Sequence, residues 1–108
     1  MDLAGKKCVP CEGGAAALSG ATLARYRENI DPAWKLSDDE TYIRRVFTFA
    51  DFAGAMACAN QIAGIAEYEG HHPDMAVSWG KVAVTLSTHA IGGLSENDFI
   101  LAAKIDHL

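Results

Sequence analysis

A chain of 108 residues, half of them hydrophobic, can bury one modest core, and a second domain is not expected. A formal charge of −5 offers no general attraction to phosphate backbones or anionic lipid, which argues against nucleic-acid or membrane partners and for a small molecule or another protein. The opening MDLAGKKCVPCEGG has lysines but no apolar stretch after them, so a secretory signal is not expected and a cytoplasmic location is. Three cysteines, an odd count, favour reduced thiols over a disulfide framework.

Residues 1–17 contain Gly5, Gly13, Gly14 and an alanine run with little apolar periodicity, and are expected to form a mobile or loosely packed arm ahead of a single domain over 18–108. Cys8-Val9-Pro10-Cys11 is a C-x-x-C, but no second pair follows to complete a zinc site and no strand-to-helix context makes it a redox motif. It is read as an unligated pair. Leu18-Ser19 then opens a short helix, about Gly20 to Asn29, with Ser19 as N-cap and Asp31-Pro32 forbidding continuation.

From Ala33 the period changes to two. Trp34 and Leu36, the turn Ser37-Asp38-Asp39-Glu40, and YIRRVFTF with Ile43, Phe47 and Phe49 on one side predict a first hairpin. Asp51 offers an N-cap to the longest helix, whose stripe of Phe52, Ala55, Met56, Ala59, Ile62, Ala63 and Ala66 runs to Gly70. MAVSW and VAVTLSTH predict a second hairpin around a Gly80-Lys81 loop, with Trp79 facing Val82, Val77 facing Val84 and Met75 facing Leu86. That register, extended, sets His72 opposite His89 with Cβ atoms about 5 Å apart. A last helix follows Ser95, stapled by Leu94 and Phe99. The sum is an α+β two-layer sandwich, a four-stranded antiparallel sheet with three helices on one face, in the order α-ββ-α-ββ-α.

The chemistry concentrates around EYEGHHPDMAVSW. Histidine titrates near neutral pH, which makes His71, His72 and His89 candidate acid/base groups; surface hydrogen bonding is the competing explanation for each taken singly. Glu67 can orient an imidazole or remain a solvated charge at a helix end. Asp98 completes the S-x-x-D form of a capping box with Ser95 and also starts a helix just after His89. Trp34 and Trp79 offer flat surfaces for a heterocycle, although Trp79 falls on the apolar stripe and reads as core. A three-ligand metal site from His72, His89 and a carboxylate is a minority alternative, since His71 and His72 point to opposite sides of a strand.

These residues resemble the pterin-4a-carbinolamine dehydratases, also known as dimerisation cofactors of a homeodomain transcription factor. The match rests on Glu67, three residues, His71-His72-Pro73, five residues, Trp79, nine residues, His89, eight residues and Asp98. It extends from about Leu18 to Asp106 through Trp34, Arg45-x-Phe47-x-Phe49, Leu86-Ser87-Thr88-His89 and Gly93-Leu94-Ser95. The resemblance implies a lyase that dehydrates 4a-hydroxytetrahydropterin to quinonoid dihydropterin in tetrahydrobiopterin recycling, without metal or cofactor. It casts His71 and His89 as the groups that protonate the leaving hydroxyl and His72 as a positioning residue. Glu67 would hold the site's hydrogen bonds, Trp34 would border the pocket, and Asp98 would orient His89. It also implies homodimers or homotetramers and a link to an aromatic amino acid hydroxylase. The alternative function is a non-catalytic module that stabilises a partner protein's oligomer.

Overall fold

The computed structural model describes residues 1–10 and 13–108; Cys11 and Glu12, and with them half of the C-x-x-C pair, lie outside the described residues. The elements run α1 (Gly20–Arg27), β1 (Lys35–Leu36), β2 (Ile43–Thr48), α2 (Phe52–Glu69), β3 (Asp74–Ser78), β4 (Lys81–Leu86), a 3-10 turn (His89–Ile91) and α3 (Glu96–Asp106). The strands form one antiparallel sheet in the order β1-β2-β4-β3. Alternation decides which face is covered. Ile43, Val82, Val84 and Leu86 point into the core, while Arg44, Val46, Thr48 and Lys81 point away on an open face. Each of these buried aliphatic side chains contributes roughly 1.5–3 kcal/mol before entropy is counted. The helices α1, α2 and α3 close the covered face, with Phe99, Ile100, Leu101 and Ile105 of α3 buried among them. No helix of the described residues is long and apolar enough to cross a membrane.

The local signals act as their chemistry predicts. The Asp51 side chain accepts the Gly54 N–H at 2.7 Å, starting α2, and Gly70 ends it in the left-handed conformation with φ 68°. The Ser95 to Asp98 capping box forms at the start of α3.

The second hairpin departs from expectation by two residues. Val77 pairs with Val82, Met75 with Val84 and Ser78 with Lys81, so the loop is Trp79-Gly80. Gly80 takes the second loop position with φ 71°, as a type II turn demands, not the first. Its carbonyl accepts the Phe49 N–H at 2.8 Å, which fixes the loop against the end of β2. Trp79 is consequently not core but 71 % exposed at the loop. Because the shift is two residues, every other side chain keeps its face.

The arm also departs from expectation over residues 3–10. Leu3 and Cys8 are buried, and the Cys8 and Val9 amides bond to Glu69 and Asn97. Scattered glycines and lysines hid two apolar anchors. Burial first, then the neighbouring Glu69 charge, pushes the Cys8 thiol up to about 12, so it stays protonated and donates to the Asn97 carbonyl at 3.6 Å.

Candidate active site

Gly70 turns the chain sharply at the end of α2, and the following His71, whose amide bonds back to the Ala66 carbonyl, stands three residues ahead of β3. Successive residues of an extended chain face opposite ways, and the two histidines separate accordingly. His71 is 13 % exposed at its side chain and His72 is 60 % exposed.

His71 Nε2 lies 2.6 Å from Oδ1 of Asp98, whose side chain is 0 % exposed. The other oxygen, Oδ2, accepts the Thr88 hydroxyl at 2.8 Å and the Ser95 N–H at 3.0 Å. Thr88 is itself buried, shares a 2.7 Å bond with the Ser95 hydroxyl, and is clamped by its bridge to Gly93. The capping box therefore uses one carboxylate oxygen and leaves the other for the imidazole. Such a carboxylate cannot swing.

The other two histidines meet exposed partners. His72 Nε2 is 3.5 Å from Glu67 Oε1, and His89 Nε2 is 4.0 Å from Asp74 Oδ2, with both carboxylates facing solvent. His89, 82 % exposed, opens the 3-10 turn after β4 instead of continuing the ladder. The expected cross-strand pair of His72 and His89 is absent among the described residues, because paired β3 begins only at Asp74 and its register is two residues away. Extending the observed register sets His71 opposite Thr88, and both do reach the same carboxylate. The imidazole that Asp98 contacts is accordingly that of His71. Asp74 and Thr88 were missed by sequence reasoning; Thr88 had no spacing signal, and Asp74 had only its place two residues after His72.

Trp34 packs inside, ahead of β1. It is 3 % exposed, and its indole N–H donates to Asp106 Oδ1 at 2.7 Å. Arg45 Nη1 meets the same oxygen at 2.7 Å, so this cluster ties the end of α3 to β2 and leaves the indole no polar atom for a ligand. Among the described residues no three His, Cys, Asp or Glu side chains converge on a metal position. A cleft of about 680 Å³ lies elsewhere, between α2 and the end of α3, and includes Tyr68, Glu69 and Lys104.

An open-faced α+β sandwich with a buried histidine-carboxylate pair at one end of its sheet is the class of protein defined so far. Comparison with known proteins narrows it. The family model described as pterin 4 alpha carbinolamine dehydratase matches residues 16–108. A protein of Alkaliphilus metalliredigens named "putative pterin-4-alpha-carbinolamine dehydratase" is 49 % identical over 97 % of this chain and 94 % of its own length. One of the same name from Chlorobaculum tepidum is 46 % identical over 98 % of this chain and 96 % of its own length. Both alignments therefore continue into the arm ahead of residue 16. The crystal structure of a transcriptional coactivator/pterin dehydratase from Brucella melitensis superposes with a TM-score of 0.78 at 32 % identity, covering 84 % of this chain and 96 % of that one. A pterin dehydratase-like RuBisCO assembly factor of the alpha-carboxysome, 24 % identical with a TM-score of 0.60 over 69 % of this chain and 87 % of its own, shares the fold. This chain belongs to the pterin 4 alpha carbinolamine dehydratase family.

Proposed function

We propose that this chain is a hydro-lyase that removes water from 4a-hydroxytetrahydropterin, giving quinonoid dihydropterin, by histidine acid/base catalysis without metal or organic cofactor. Family membership supports the substrate class. The observation that carries the mechanism is the 2.6 Å contact between His71 and the fully buried Asp98.

The chemistry asks for two proton movements. The C4a hydroxyl must leave as water, taking a proton from an acid, while N5 gives its proton to a base. With the Asp98 carboxylate accepting, the His71 ring N–H sits on Nε2, and Nδ1 is the atom left to give or take the substrate's proton. His89, an exposed side chain, supplies the second imidazole, from the opposite face of the ring for the other C4a epimer. His72 and Glu67 bind and position the substrate. Asp98 holds His71 in place and does not touch the pterin. The protein would act in the cytoplasm, in tetrahydrobiopterin recycling downstream of an aromatic amino acid hydroxylase, as a homodimer or homotetramer.

The test is the absorbance decay of 4a-hydroxytetrahydropterin generated in situ, compared with its spontaneous dehydration. Wild-type protein accelerates the decay, and joint replacement His71→Ala and His89→Ala slows the catalysed rate by at least about a hundredfold. A double variant with native turnover would falsify the mechanism.

A second reading, a module that stabilises a partner's oligomer, draws support from exposed Phe52 and Met56 on α2 and from Trp79 at the hairpin loop. Partner-dependent activity that survives replacement of all three histidines would favour it.

A further inference from the structure

The buried polar residues of the described chain are Glu69, Thr88, Asn97 and Asp98. Asp98 holds His71 directly, and Thr88 holds Asp98. Glu69 and Asn97 do neither, yet Glu69 stands two residues before His71 and Asn97 one residue before Asp98. Consecutive residues of the arm hold them both. The Cys8 N–H donates to Glu69 Oε1 at 2.8 Å, the Val9 N–H donates to Asn97 Oδ1 at 3.0 Å, and Asn97 Nδ2 donates back to the Val9 carbonyl at 2.6 Å.

We propose that Glu69 and Asn97 are positioning residues, which the backbone of Cys8 and Val9 joins into a clasp that sets the approach of His71 to Asp98. This rests on the catalytic role assigned to His71. The end of α2 and the start of α3 carry the two halves of the pair, which lie 27 positions apart in the chain. Apolar packing of α2 on α3 and the Glu69–Lys104 ion pair also set the separation of the two helices, but neither bonds the start of α3, where Asp98 stands. The clasp adds directional bonds on either side of the pair.

Stability alone gives little reason for these residue types. A carboxylate at a helix C-terminus is disfavoured by the dipole, and burying it adds a desolvation cost that an apolar side chain would not incur. The protein instead surrounds Glu69 with compensation. Burial opposes its ionisation, but the Cys8 N–H and the ammonium groups of Lys104 and Lys7 outweigh that and hold its carboxyl below the ordinary value. Lys104 Nζ is 3.5 Å from Glu69 Oε2 and donates to the Ala4 carbonyl at 2.9 Å, while Lys7 Nζ caps the Tyr68 carbonyl at 2.8 Å. Three successive residues of the arm, Lys7, Cys8 and Val9, are thus bonded to the two helix ends that carry the site.

The test is Asn97→Ala in the full chain, read by dehydration kinetics and by the His71 Nε2–H proton resonance of the substrate-free protein. A lost clasp lowers kcat by about tenfold or more with KM within about twofold, because the displaced imidazole still leaves the substrate contacts of His72 and Glu67 intact. The His71 resonance moves upfield as its hydrogen bond lengthens. Glu69→Ala behaves the same way, and Glu69→Gln, which keeps an acceptor for the Cys8 amide, recovers most of kcat. If Asn97→Ala does not fold, Val9→Pro deletes one clasp donor while leaving α2 and α3 untouched, with the same readouts. Folded variants with native kcat and an unmoved His71 resonance would overturn the clasp. Should the wild-type protein fail to accelerate dehydration, the catalytic proposal falls, and the resonance by itself decides whether the clasp sets the pair.

Discussion

His71 and His72 are neighbours in sequence and live in different solvents. His71 meets a carboxylate with no exposed surface, pinned by two further donors at 2.8 and 3.0 Å. His72 meets Glu67 at 3.5 Å on the open surface, where water competes for every bond. An extended backbone produces the contrast by turning one side chain inward and the next outward. Side by side, one imidazole has a fixed orientation and the other stays adaptable, which is the division of labour expected between proton transfer and substrate contact.

Breaking the buried side should cost most. Asp98→Ala removes the acceptor of His71, Thr88 and Ser95 together, and is expected to lower unfolding stability by about 3 kcal/mol in urea titration. Thr88→Val removes one donor to the same carboxylate and is expected to cost about 1–2 kcal/mol by the same measurement. A smaller effect tests the periphery of α3. The Tyr26 hydroxyl, at 2.6 Å, holds the Glu96 carboxyl below its ordinary value; burial opposes this, and Lys6 assists it. A depressed carboxyl adds stability at pH above its unfolded value, near 4.5, and that stability is lost as pH falls through the folded value. Tyr26→Phe should therefore lower the melting temperature at neutral pH and barely alter it in acid, which flattens part of the acid-side decline. On the exposed side, Glu67→Gln is expected to change stability by no more than about 0.5 kcal/mol.

Local chemistry was legible because its partners lie within one helical turn: Asp51 with Gly54, and Ser95 with Asp98. The order of elements and the covered face followed from periodicity. Register was not legible, and the reason is arithmetic. Alternation repeats every two residues, so a two-residue slip leaves the apolar face unchanged, and the choice falls to the turn, where Gly80 takes φ 71° and its carbonyl accepts the Phe49 N–H. That choice decides whether His89 or Thr88 comes beside the doublet. It also brings the Asp98 carboxylate that caps α3 to His71. The Trp34 indole bond was equally out of reach, since its partner Asp106 lies 72 residues away. The arm's partners, Glu69 and Asn97, are equally remote from Cys8 and Val9.

The asymmetry between the two carboxylates can be measured directly by comparing kcat for Asp98→Asn and Glu67→Gln in the dehydration assay. An amide at 98 turns a donor toward His71 and forces the wrong ring tautomer, so kcat should fall by at least about a hundredfold. At 67 the amide should raise KM and leave kcat within about threefold, since an exposed contact holds substrate without fixing the proton's position. Near-native kcat for Asp98→Asn, with the fold intact, would contradict the account.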